Sequence, residues 1–154
     1  MNGSNKLNGL ISTFILSVTV ILIFYGTIIK DPNNYYFSPN GDGFKAYFGA
    51  KYHLEYDTTA MRMNGMNYPF GEMVFFTGCE PLVVNSVKFI SNHVVDISGN
   101  IIGIMNLLMI FSILIAAIFI FLIFDEINLP WWYSSIVAVG ICMLSPQIAR
   151  MGGH

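Results

Sequence analysis

Two apolar runs without a single charged residue, Leu10 to Ile29 and Ile101 to Phe124, limit what this chain can fold into more than anything else in its sequence. Each reaches the roughly 20 residues that an α-helix needs to cross about 30 Å of hydrocarbon. A backbone in lipid must satisfy its own N–H and C=O groups, so each run is predicted to be a helix. Composition points the same way, with 55% of the 154 residues apolar and 10% charged, a balance of the membrane class. The first run, with Lys6 ahead of it, has the outline of a cleaved secretory signal. It is longer than a signal core, however, and its exit through Tyr25, Gly26, Thr27, Ile28, Ile29 and Lys30 lacks a small-x-small cleavage pattern, so a retained anchor is the better reading.

The fold class expected is all-α, a polytopic helical membrane protein with about three transmembrane helices and a long outer loop. Residues 1–9 form a cytoplasmic start, 10–29 the first span, 30–100 an extracytoplasmic loop and 101–124 the second span. Asp125, Glu126, Ile127 and Asn128 make a cytoplasmic turn short enough to send the chain back antiparallel. Trp131, Trp132 and Tyr133 are the aromatics expected at a bilayer interface, so a third span is predicted over 129–148, with 149–154 an extracytoplasmic end. The short ends offer only Lys6 and Arg150 to set orientation, and a cytoplasmic N-terminus is the orientation favoured.

Two stretches of the loop read as amphipathic helices, near 43–54 and 81–98. In the first, Phe44, Tyr47, Phe48 and Tyr52 recur at helical spacing, with Lys45 and Lys51 placed to reach headgroups. The second opens on Glu80 and Pro81, a favourable helix start, and continues with Val83, Val87, Ile90, Val94 and Ile97 on one stripe before Gly99 breaks it. Either stripe lies on the membrane surface or packs against other membrane helices. Between them, Asn64 to Gly71 is a turn-rich loop.

A net charge of −2 and the lack of a basic run give no reason to invoke nucleic acid. Cys79 and Cys142 fall in sections of different polarity and read as unpaired structural cysteines. His53, His93 and His154 are too dispersed for a metal site, and nucleophile elbows, phosphate-binding glycine loops and dinucleotide fingerprints are all absent from the sequence.

Asp42, between Gly41 and Gly43, stands where a turn joins the first amphipathic helix. Its structural reading is a helix N-cap; its functional reading is a carboxylate at the membrane surface that accepts a proton or binds a divalent cation. Arg150 and His154 lie four apart, as an interfacial arginine beside a loop histidine or as a phosphate grip. Asp57, Arg62, Glu72 and Glu80 are further polar candidates, each ordinarily a solvated loop residue. Glu72 stands out because it follows the aromatic turn Asn67-Tyr68-Pro69-Phe70-Gly71.

This plan resembles the start of the C-type glycosyltransferases, polytopic enzymes that use lipid-phosphate-linked sugars. The strings that carry the resemblance are Gly41-Asp42-Gly43-Phe44-Lys45, Gly65-Met66-Asn67-Tyr68-Pro69-Phe70-Gly71-Glu72, and Ser145-Pro146-Gln147-Ile148-Ala149-Arg150-Met151-Gly152-Gly153-His154. They look like stretches of bacterial membrane proteins grouped with those transferases. The resemblance implies transfer of a sugar from a polyprenyl-phosphate donor, with inversion, at the outer face of the bacterial cytoplasmic (inner) membrane. It implies membrane lipid and the lipid-linked donor as partners. Asp42 then matches a first-loop acidic residue acting as base or holding acceptor or metal, and Arg150 and His154 match donor-phosphate contacts. Glu72 matches its local string alone, with no assigned role beyond substrate binding. The cofactor is unknown, a divalent cation (Mg or Mn) being the candidate. Such enzymes are several hundred residues long, so the chain corresponds to an amino-terminal part, inactive alone. Two other classes stay open: a small non-enzymatic membrane subunit or scaffold with the outer loop as docking surface, and a transporter or flippase fragment.

Overall fold

The computed structural model describes residues 3–37 and 41–144, apart from the side chains of Ser4 and Asp42. It is mostly helical, with α1 (Gly3–Lys30), α2 (Gly41–Tyr56), α3 (Pro81–His93), α4 (Ile101–Glu126) and α5 (Trp131–Met143). A two-residue antiparallel pair, β1 (Arg62–Met63) with β2 (Glu72–Met73), closes the turn-rich loop into a hairpin, which an all-α expectation leaves out. The described chain divides into two compact units, one of residues 3–30 and 107–144, the other of 31–37 and 41–106.

In the first unit, α1 and α4 are each long and apolar enough to cross a membrane. Only 22% of each apolar window is buried, and residues such as Ile23 and Phe119 are 71% and 61% exposed. What is buried follows narrow stripes. On α1 the inward residues are Gly9, Thr13, Ser17 and Ile21, a stride of four; on α5 they include Ser134, Ser135, Ala138 and Cys142. Small residues at that spacing let two helices approach closely, and Ser135 Oγ donates to the Gly9 carbonyl at 3.1 Å. From α4, Phe121 fills the space over Gly9, where an added Cβ would collide with its ring.

The turn expected over 125–128 begins later than the sequence suggests. Asp125 and Glu126 belong to the last turn of α4, because Asn128 takes a left-handed conformation (φ 59°). Leu129 N–H reaches the Phe124 carbonyl and Asn128 N–H the Asp125 carbonyl, a Schellman closure. Asp125 at a helix C-terminus opposes the helix dipole, and Lys6 Nζ at 2.9 Å offsets it. The described part of the third span expected over 129–148 is α5, which is 13 residues long and so about 20 Å. Residues 145–148 lie outside the described ones.

The second unit is built on the first turns of α4. Asn106 is fully buried there; its Nδ2 donates to the carbonyls of Pro32 (2.8 Å) and Tyr35 (2.7 Å), and its Oδ1 accepts from Tyr47 Oη on α2. Asn33 Oδ1 takes the Gly103 N–H at 2.7 Å, one of the donors a helix start leaves without a partner. On α2 the inward face is Tyr47, Ala50 and His53, while Phe44 and Phe48 stay exposed. α3 starts with Pro81 as expected, but Glu80 is left-handed (φ 51°) and makes no side-chain cap hydrogen bond. α3 also ends at His93, short of residue 98, and its buried face is Val84, Val87 and Lys88. The stripe read from Val83 to Ile97 is therefore rotated: Val87 is buried, but Ile90 is 36% exposed while Val84 and Lys88 are buried. Both cysteines are free and buried.

Two outcomes follow for stability. Gly9→Leu should lose about 1–3 kcal/mol by overpacking, read as a lower melting temperature in detergent. Gly26→Leu should lose none by that route, since a Cβ at Gly26 meets nothing within 4 Å. Burial pushes the Tyr47 phenol up from 10.0 to about 12, so in the folded state it keeps its proton after the unfolded chain has lost it. The stability this contributes is present below pH 10 and is lost as pH rises toward 12. Tyr47→Phe should flatten that alkaline limb while costing about 1–3 kcal/mol at neutral pH through the stranded Asn106 oxygen; an unchanged pH profile would overturn the assignment.

Candidate functional site

The residues singled out from the sequence divide by what the structure describes. Asp42 is the second residue of α2, so it sits inside the first turn rather than before the helix as an N-cap; its side chain lies outside the described residues. Arg150 and His154 also lie outside them. Glu72 is half-buried on β2, directly opposite Met63. Arg62 is exposed on β1, and Glu80 is exposed ahead of α3.

Asp57 is not a solvated loop residue. It is 6% exposed and joins a buried polar cluster with His53 and Lys88. His53 and Asp57 are four apart at the end of α2, which brings His53 Nδ1 to 2.8 Å from Asp57 Oδ2. The other carboxylate oxygen, Oδ1, accepts the Asn64 N–H at 2.9 Å. On the far side of the ring, His53 Nε2 faces Asn85 Oδ1 of α3 at 3.3 Å. Lys88 Nζ donates to the carbonyls of His53 (2.9 Å), Asp57 (2.6 Å) and Thr59 (3.1 Å). It thereby covers acceptors that the C-terminus of α2 leaves open, where a cation is also favoured by the helix dipole. Burial lowers the Lys88 pKa, and the Asp57 charge opposes that shift.

The cluster ties three elements together: α2 through His53 and Asp57, the hairpin through Asn64, and α3 through Asn85 and Lys88. His53 is fully buried, with its ring nitrogens against Asp57 and Asn85. The hairpin, and with it Glu72, is reached through Asp57, whose Oδ1 takes the Asn64 N–H. The signal in the sequence was the extension of the Tyr47–Ala50–His53 face by one more turn to Asp57. Lys88 carries no comparable signal, because an inward lysine is legible only once the carbonyls it meets are in place. Among the described residues no three His, Cys, Asp or Glu side chains group as a metal site.

Residues 14–154 match the model of a family described as a domain of unknown function (DUF6311). No curated protein and no solved structure matches the chain.

Asp57→Ala should release the hairpin without removing the helices. Amide exchange across Arg62–Met73 is expected to speed up by about tenfold for each 1.4 kcal/mol of local stability lost. Exchange in the middle of α4 should not change; uniform acceleration in both would show that the carboxylate is not specific to the hairpin.

Proposed function

The chain belongs to the DUF6311 family, and we propose that it is a multi-pass protein of the bacterial cytoplasmic membrane that forms the amino-terminal part of an inverting, polyprenyl-phosphate-dependent glycosyltransferase. The observation that carries the membrane part is the exposure of α1 and α4, two long apolar helices whose outward faces need lipid. The chain between them folds as a separate compact unit, suited to work where water and bilayer meet. A polyprenyl tail cannot leave the bilayer, so its headgroup must be handled at that boundary.

The transferase part rests on the resemblance of the strings around Asp42, Glu72 and Arg150 to His154. A carboxylate is favoured in the first turn of a helix, and it is a group that takes a proton or holds a divalent cation such as Mg or Mn. In direct inversion Asp42 accepts the acceptor hydroxyl proton as that oxygen bonds to the anomeric carbon. The bond from that carbon to the phosphate oxygen breaks with its electron pair leaving on phosphate, where Arg150 and His154 stabilise the charge. Glu72, on a hairpin held by Asp57, contributes to substrate binding.

A second reading, a non-enzymatic membrane subunit, is favoured by the hairpin tip, where Tyr68 and Phe70 stand 87% and 76% exposed as an aromatic docking surface.

The test is consumption of undecaprenyl-phosphate-linked hexoses by membranes carrying the product of the complete gene. Asp42→Asn should slow turnover by ~10²–10⁴-fold. Equal turnover removes Asp42 from catalysis, and a wild type that consumes no donor but purifies with a stoichiometric partner favours the subunit.

A further inference from the structure

α3 lacks the charged outward face of a helix in water. Among Pro81–His93 the one Lys, Arg, Asp or Glu is Lys88, and it is buried against the C-terminal carbonyls of α2. The opposite face carries Leu82, Ser86, Phe89 and Ile90 along an open groove edged by Asn85. Leu82 is 82% exposed and Phe89 63% exposed, and the chain leaves the helix through two more exposed apolar residues, Val94 and Val95. A surface helix in water turns its charges outward, whereas a contiguous uncharged apolar face marks something that covers it.

We infer that this outward face of α3, continued through Val94 and Val95, is seated in the headgroup–acyl boundary of the bilayer that α4 enters; the inference rests on the membrane reading above. Its occupant follows from the chain itself. From Val95 the backbone reaches Ser98, where the 3₁₀ turn into α4 begins, and three residues span at most about 10 Å. The exposed valines are thus held within that distance of the start of a long apolar helix. An interfacial helix that binds from solution normally needs a basic rim to draw it to lipid. α3 is tethered, so its local lipid concentration is set by the chain and burial of apolar surface suffices. Phe89, with the His93 ring stacked on it at 4.5 Å, supplies the amphipathic aromatic pair suited to that depth. The buried cluster sets which face is outward, since Asn85 and Lys88 hold the other side to α2 and the loop after it.

The test places a bimane label at Phe89→Cys and, separately, at Leu82→Cys in the whole protein reconstituted into vesicles of phosphatidylcholine with brominated chains. The two native thiols are buried, and the unsubstituted protein sets the background. Ile115→Cys, on the exposed side of α4, reports the span, and Glu55→Cys, exposed on α2, reports water. Quenching at 89 and 82 of the same order as at 115, with none at 55, is the expected result. Quenching at 115 with water-like signals at 89 and 82 overturns the inference and leaves the membrane reading standing. Absence of quenching at 115 overturns both. A blue-shifted but unquenched label at 89 means that protein covers the face, and overturns the inference alone.

Discussion

A primary amide inside an apolar helix costs several kcal/mol unless each of its bonds is made, and Asn106 makes them with two other pieces of chain. Its amide nitrogen holds the carbonyls of Pro32 and Tyr35, and its oxygen takes the hydroxyl of Tyr47. The segment leaving α1, the first inward residue of α2 and the opening turns of α4 are thereby referred to one side chain. Replacing it with an apolar residue would remove all three of these bonds at once. The unit between the long helices keeps its form because its polar groups at this point have no water to turn to.

From that anchor, α2 leads to a second buried polar centre. His53 and Asp57 continue the face that Tyr47 begins, and they receive the hairpin and α3. Lys88 is the counterpart from α3: by turning inward to the carbonyls at the end of α2, it strips charge from the outward face. One lysine therefore does two things, stabilising a helix end and leaving the opposite surface without charge. The proposed roles of Glu72 and of the α3 face both depend on this centre, the first through Asp57 and Asn64, the second through Asn85 and Lys88.

The unit containing α1 and α5 solves a different problem. Under the proposed membrane reading the hydrophobic effect gives no reason for two helices to associate, so close packing and hydrogen bonds between them take its place. Gly9, Thr13 and Ser17 on one helix and Ser134, Ser135 and Ala138 on the other provide the close approach, and the Lys6–Asp125 pair adds a polar contact at the end of α4. The outward faces of α1 and α4 carry leucine, isoleucine and phenylalanine, and that of α5 carries Trp132, Tyr133, Ile136 and Ile141.

The positions of the two long apolar helices were legible in the sequence alone, because a charge-free run of that length has few other ways to satisfy its backbone. The start of α3 was legible for a related reason, since Pro81 acts through local backbone geometry, whereas α2 begins at Gly41, two residues ahead of the expected 43. Of the candidate site, the sequence singled out Asp42, Glu72, Arg150 and His154, and it placed Asp57 among solvated loop residues. Only the tertiary structure put Asp57 in a buried cluster, turned Lys88 inward, rotated the apolar face of α3 and moved Asp125 into α4. Each of these depends on partners far along the chain or on the geometry of a turn. Periodicity records which side of a helix is apolar, but not whether protein or bilayer lies against it.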